Sequence, residues 1–107
     1  MTDKFLSFLG IARKSGRLFL GMDKVKDNIT RKNISFIMVT SNISKSSLKK
    51  INTVSMKNNA KIVNLKYSTE DIYSSIRKYV AIIGVSDENF IKKFQALIQE
   101  SQTNLNV

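Results

Sequence analysis

The sequence predicts an α/β protein with a mostly parallel sheet between two layers of helices. Residues 34–39 form a nearly unbroken apolar run, which is typical of a strand buried on both faces, and we expect two further buried strands at residues 61–65 and 80–85. Segments with helical spacing separate these runs, and strands that alternate with helices indicate a parallel sheet with helices on both faces. Since 107 residues suffice for one core, we expect a single domain over residues 1–100 and a polar tail over 101–107.

The first helix is expected to begin after a cap at Thr2 or Asp3 and to end at Gly16. Glycine adopts a positive φ without steric cost, so it suits the turn that leaves a helix. Arg13 and Lys14 lie in the last turn, where cations favour the negative end of the helix dipole. The apolar stripe of this helix is formed by Phe5, Leu9 and Ala12.

A very short strand at residues 18–20 precedes a second glycine and a second helix. Gly21 opens this helix, which we place at residues 22–31 with Val25 and Ile29 facing the core. The first amides of a helix have no internal partners and carry the positive end of the dipole. Because cations surround this helix start, we predict that it is a binding site for a phosphate group.

Three later helices begin at residues whose side-chain oxygens accept hydrogen bonds from free amides. Ser44 is expected to cap the third helix, Ser68 the fourth, and Ser86 or Asp87 the last. The acidic pairs Glu70-Asp71 and Asp87-Glu88 lie at two of these helix starts, where acids favour the dipole. We therefore interpret both pairs as capping residues and not as general acids or bases.

The composition excludes several kinds of protein. The chain has 18 basic and 8 acidic residues, a formal net charge of +10, which favours a polyanionic partner over mere solubility. It contains no cysteine and no histidine, which excludes disulfides and zinc knuckles and removes the usual general base. The apolar runs are too short to span a bilayer. We expect a cytoplasmic protein with no cofactor, no metal and no membrane contact.

The glycine spacing of residues 16–21 superficially matches a nucleotide-binding phosphate loop. That motif continues with lysine and then serine or threonine, which hold the phosphates and magnesium. Met22 and Asp23 occupy those positions here, so a nucleotide hydrolase is not predicted.

The basic residues are grouped in the sequence. One group surrounds the short strand and the second helix start, and a smaller one, Arg77 and Lys78, lies in a later loop. We interpret the cations of the third helix, Lys45, Lys49 and Lys50, as a solvated helix face. The phenylalanines follow core periodicities, and the tyrosines that could be exposed are Tyr67, Tyr73 and Tyr79. The larger basic group consists of Arg13, Lys14, Arg17, Lys24 and Lys26.

Two stretches carry the pattern of a known protein family. Residues 9–18 read LGIARKSGRL and are followed by Gly21 and a helix, and residues 82–93 read IIGVSDENFIKK. Over roughly residues 4–98, the chain resembles the small ribosomal proteins of the L7Ae/L30e family, in particular its bacterial YlxQ-type members. The resemblance implies a three-layer α/β/α sandwich with a four-stranded mixed sheet. It also implies a monomeric, non-enzymatic protein that binds structured RNA, such as a kink-turn or ribosomal RNA, and associates with the ribosome.

The resemblance also assigns contact residues. Gly21 matches the family's glycine at the second helix, whereas Asp23 replaces an asparagine, Lys24 a glutamate or glutamine, and Asp27 a lysine. Ionised aspartate only accepts hydrogen bonds and lysine only donates them, so purine edges would be read differently here. The family's second contact, a loop that grips a flipped-out base, corresponds to the shorter link at residues 76–79. The predicted RNA contacts are Arg13, Lys14, Arg17, Gly21, Asp23, Lys24, Arg77 and Lys78.

Two alternatives remain open from the sequence. A module of the same fold can bind a protein partner in translation or ribosome assembly, because a fold does not fix a function. An enzyme, for example a nuclease that uses Asp23 or Asp27, is disfavoured because no histidine or cysteine is present.

Overall fold

The structure, a computed structural model, describes residues 3–103, with side chains as far as Ser101. The predicted order of elements is confirmed, and the strands are slightly shorter than the apolar runs. Thr2 and residues 104–107 lie outside the described residues, and residues 101–103, expected in the tail, continue the last helix. The elements are α1 (Lys4–Lys14), β1 (Leu18–Leu20), α2 (Met22–Thr30), β2 (Phe36–Val39), α3 (Lys45–Lys57), β3 (Lys61–Asn64), α4 (Thr69–Ile76), β4 (Ile82–Val85) and α5 (Glu88–Thr103).

The four strands form one mixed sheet in the order β1-β4-β2-β3. Strand β4 is antiparallel to both neighbours, with Val85 opposite Leu18 of β1 and Phe36 of β2, and only β2 and β3 are parallel. The expected mostly parallel sheet is therefore wrong, and the mixed sheet implied by the family resemblance is confirmed. An unbroken apolar run indicates burial on both faces but says nothing about strand direction, and β4 is buried on both faces while running antiparallel.

Helices cover both faces of the sheet, so the molecule has three layers. Helices α1, α4 and α5 lie on one face, and α2 and α3 lie on the other. Side chains of β2 alternate between the two cores: Phe36 and Met38 join the first, and Ile37 and Val39 the second. The first core is the larger and contains most of the aromatic residues.

Strand β3 does not match its predicted environment. It lies at the edge of the sheet, where Lys61 and Asn64 are exposed and Ile62 and Val63 only half-buried. The expectation that residues 61–65 form a strand buried on both faces is wrong. The physical reason is that an edge strand has a neighbour on one side only, which local sequence does not reveal.

The predicted helix caps are confirmed where they can be observed. Ser44 accepts a hydrogen bond from the Ser47 amide, and Ser68 forms a reciprocal capping box with Asp71. Asp87, not Ser86, caps α5 by accepting hydrogen bonds from the amides of residues 89 and 90. Gly16 has the positive φ, 71°, that the turn after α1 was expected to require.

The cap of α1 also ties that helix to the segment that precedes α4. The Asp3 carboxylate accepts hydrogen bonds from the Leu6 amide at 3.0 Å and from the Tyr67 hydroxyl at 2.7 Å. Burial acts to raise the pKa of Asp3, but these hydrogen bonds, another from the Phe5 amide and the charge of Lys66 outweigh it, so the pKa lies below its ordinary value. Burial and the bond to Asp3 raise the pKa of Tyr67, which is buried and not exposed.

We expect Asp3→Asn to weaken the acid sensitivity of folding. Because the pKa of Asp3 is lowered in the folded state, its ionised form stabilises the protein above the unfolded pKa of about 4. That contribution is lost as the pH falls through the folded pKa, whereas an asparagine cap does not titrate. Urea unfolding between neutral and strongly acidic pH measures the effect. The free energy of unfolding should fall more steeply for the native chain than for the variant, and equal slopes would contradict the assignment.

Candidate nucleic-acid interface

Strand directions bring three helix starts to one end of the sheet. Since β1 and β2 are both antiparallel to β4, and β3 is parallel to β2, strands β1, β2 and β3 all run the same way. Their last residues therefore lie at one end, where β4 begins, and α2, α3 and α4 follow there. We call this the carboxyl end of the sheet. Backbone hydrogen bonds join its segments: Gly21 donates to Ile82 at 2.9 Å, and Thr40 to Ala81 at 3.0 Å.

The start of α2 differs from the other two helix starts at this end. Helices α3 and α4 are capped by the side chains of Ser44 and Ser68, but α2 begins at Gly21, and no side-chain cap bond is present there among the described residues. Gly21 has φ 93° and ψ 162°, a conformation almost confined to glycine. The first amides of α2 are thus left to an external acceptor, which the dipole favours as an anion.

Both signs of charge lie on the first turns of α2. Asp23, Lys24, Lys26 and Asp27 are all exposed. The Asp27 carboxylate lies 3.4 Å from the guanidinium of Arg31, one turn further along, so part of its charge is compensated within the helix. Asp23 and Lys24 are the charged groups nearest the uncapped helix start. They offer one pure acceptor and one pure donor beside the free amides.

The second predicted contact adjoins the same end of the sheet. Residues 77–81 link α4 to β4, and Arg77 ends α4 in the left-handed conformation with φ 59°. Arg77 and Lys78 are exposed, and Ala81 is held by the amide of Thr40. Strand pairing therefore places the end of this link beside Gly21, because Gly21 bonds to the residue that follows Ala81.

Tyr79 of this link stacks on Tyr73, a half-buried residue of α4, and the sequence did not predict this pairing. The rings of Tyr73 and Tyr79 are stacked, with centroids 4.2 Å apart and planes 13° from parallel. Tyr79 is 63% exposed, and the Arg77 guanidinium lies 5.9 Å from the Tyr73 ring centroid. An exposed ring beside an arginine can stack on a nucleobase. Tyr73 lies within α4 and Tyr79 lies beyond its end, so neither a helical nor a strand periodicity predicts their pairing.

The predicted basic group around the short strand divides into separate places. Arg17 precedes β1 at the opposite end of the sheet, about 13 Å from Gly21 at the rise of an extended strand. Its guanidinium lies 3.8 Å from the Asp87 carboxylate and 6.0 Å from the Phe90 ring centroid. The group is therefore divided between the two ends of β1, because an extended strand separates residues that are close in the chain.

Arg13 and Lys14 also differ in their surroundings. The Arg13 guanidinium donates to the carbonyl of Ile76 at 3.1 Å, so it holds the residue immediately before Arg77. Arg13 thus belongs with the 77–81 link, which it helps to position. Lys14 is exposed in the last turn of α1, beside the turn that leads to Arg17.

The described side chains, residues 3–101, offer no metal site. No three acidic, histidine or cysteine side chains come together there in a way that could hold a metal ion. Within the same part of the chain, no helix is both long and apolar enough to cross a bilayer.

We expect Gly21→Ala to destabilise the fold by about 1–3 kcal/mol, because the backbone conformation is strained for any residue with a Cβ. Space is not the cause, since an added Cβ at Gly21 would meet no atom within 4 Å. Gly10→Ala is the matched control: its Cβ would lie 3.6 Å from the Ser75 hydroxyl, and alanine favours a helix interior by about 0.5–1 kcal/mol. Urea unfolding should give shifts of opposite sign, and a neutral Gly21→Ala would refute the strain.

Comparison with known structures supports the fold. A protein of unknown function from Bacillus halodurans superposes with a TM-score of 0.81 and 23% identity, over 92% of this chain and 99% of that one. A 15.5 kD RNA-binding protein from Giardia lamblia superposes with a TM-score of 0.68 and 7% identity, over 92% of this chain and 93% of that one. At these identities the likeness shows the fold alone.

Comparison with protein sequences identifies the family. A search of curated proteins found no match. The family model of the ribosomal protein L7Ae/L30e/S12e/Gadd45 family matches residues 3–94, which include every element except the end of α5. The chain therefore belongs to the ribosomal protein L7Ae/L30e/S12e/Gadd45 family.

Proposed function

We propose that this protein binds structured RNA through the carboxyl end of its sheet. The observation that carries the proposal is the uncapped start of α2, with Lys24 beside it, joined by backbone hydrogen bonds to the beginning of β4. A formal net charge of +10 and membership of a ribosomal protein family support a polyanionic RNA partner. The 15.5 kD Giardia protein of the same fold is itself described as RNA-binding.

The two parts of the interface make different contacts. At the start of α2, free amides and the ammonium of Lys24 bind phosphate oxygens, and Asp23 accepts hydrogen bonds from base amino groups. At the 77–81 link, Arg77 and Lys78 neutralise phosphates while the exposed face of Tyr79 stacks on an unpaired base. Gly21 and Arg13 position these groups. Lys14 and Arg17 face the other end of β1 and contribute only to the general positive field.

The finer identity of the protein follows as part of this proposal. The resemblance of residues 9–18 to the YlxQ-type bacterial members supports assigning the chain to that branch of the family. We propose that it acts as a single chain on a sharply bent RNA element, either a kink-turn or a region of ribosomal RNA. Asp23 stands where the family has asparagine, and Lys24 where it has glutamate or glutamine. Asp23 can therefore only accept hydrogen bonds from a base, and Lys24 can only donate them.

Neutral substitutions should separate this interface from the general charge of the protein. We expect Lys24→Gln with Lys78→Gln to weaken RNA binding and to reduce the salt slope of log K by about 1 for each phosphate that is no longer neutralised. The control, Lys92→Gln with Lys93→Gln on α5, removes the same charge from an exposed surface away from the site. Titrations at several salt concentrations measure both effects. Equal reductions in affinity for the two variants would show that only net charge matters.

Recognition of the bend is tested with two RNAs. We expect a kink-turn RNA to bind more tightly than a control whose G·A pairs are replaced by Watson–Crick pairs, with the preference maintained at high salt. Phosphate contacts weaken as salt rises, whereas base contacts and shape do not weaken to the same degree. Asp23→Ala should reduce the preference without changing the salt slope. Equal binding of both RNAs that disappears as salt rises would overturn the kink-turn assignment and leave a phosphate-binding surface.

A further inference from the structure

A long segment in the middle of the chain contains no acidic residue. Residues 28–69 hold neither aspartate nor glutamate, and they include all of α3 and β3. All eight acids of the chain therefore lie outside this segment, and six of them lie in or just before α1, α4 and α5. The cations of the acid-free segment are Arg31, Lys32, Lys45, Lys49, Lys50, Lys57, Lys61 and Lys66.

Helix α3 concentrates this charge on its outer surface. Its four lysines are exposed, and no ion pair within the described residues involves any of them. Lys45 and Lys49 are one turn apart, where like charges repel and destabilise a helix. Helix α5, by contrast, places Glu88 one turn before Lys92. The outer surface of α3 is therefore uniformly positive and suits an anionic partner.

This surface continues the interface at the carboxyl end of the sheet. Helices α2 and α3 pack side by side in the same layer, and both begin at that end. Helix α3 has 13 residues and extends about 20 Å away from it at 1.5 Å per residue. The α3 face, which we define as Lys45, Lys49, Lys50 and Lys57, is therefore a row of cations leading away from the start of α2.

We propose that the α3 face binds the phosphate backbone of an RNA stem that extends beyond the element held at α2. This inference rests on the proposed function and enlarges its footprint. Lysines on a convex helix suit a backbone better than bases, because an ammonium on a flexible stem is a point charge without the planar fork that reads purine edges. The large apolar side chain that is exposed on α3 is Met56, at 79%, and it stands among these four lysines.

The experiment compares two RNAs that share the same bent element, one with a minimal stem and one with the stem extended by about a helical turn. For the native protein we expect the longer RNA to bind more tightly and with a steeper salt slope. In Lys49→Gln with Lys50→Gln, that gain should disappear and the slope for the longer RNA should fall by about 2, since each phosphate contact contributes about 0.9. The shorter RNA should bind as before.

Lys92→Gln with Lys93→Gln again serves as the control of equal charge, and it should keep the gain. Thermal unfolding should show the α3 variant to be as stable as the native chain or more so, because lysine repulsion is relieved. Three results would overturn the inference: the native protein binds both RNAs equally, the α3 variant still binds the longer RNA more tightly, or the control loses this preference as fully as the α3 variant does. The inference would also be overturned if the α3 variant no longer bound poly-glutamate, a polyanion that is not RNA, but still bound the longer RNA more tightly than the shorter one. Failure of the native protein to bind the shorter RNA would instead overturn the proposed function.

Discussion

The antiparallel pairing of β4 with both β1 and β2 is the constraint on which the rest of the structure depends. It makes β1, β2 and β3 end where β4 begins, and so it collects three helix starts and the last residues of the 77–81 link at one end of the sheet. Burial of β4 on both faces requires a helical layer on each side. The same pairing joins Gly21 to Ile82 by a backbone hydrogen bond, and in this way builds the candidate interface from segments far apart in sequence.

Charge is distributed unevenly over this scaffold. The layer of α1, α4 and α5 mixes both signs, and ion pairs such as Lys4 with Glu100 and Arg17 with Asp87 lie within it. The layer of α2 and α3 has acids only at Asp23 and Asp27. The positive field is therefore strongest on one side of the molecule, next to the uncapped helix start. Such an asymmetry steers a polyanion toward one face before any specific contact forms.

Two of the arginines predicted to contact RNA have structural roles as well. Arg13 bonds to the carbonyl that ends α4 and so fixes the link carrying Arg77 and Tyr79. Arg17 lies beside Asp87, the residue that caps α5. Replacing either arginine would alter packing as well as charge, so their effect on RNA affinity would not report contact alone. Exposed lysines, which have neither role, are the better probes of the surface.

The sequence by itself determined the order of helices and strands, the burial of β2 and β4, and the capping residues at Ser44 and Ser68. These features depend on periodicity and on hydrogen bonds within a few residues, which a local pattern records. It also identified the glycine-opened start of α2 as the centre of the candidate site. Only the tertiary structure decided the strand directions, the exposed edge at β3, the separation of Arg17 from Gly21 and the stacking of Tyr73 on Tyr79. Each of these depends on which segments become neighbours in the folded chain, and long-range pairing leaves no local period in the sequence.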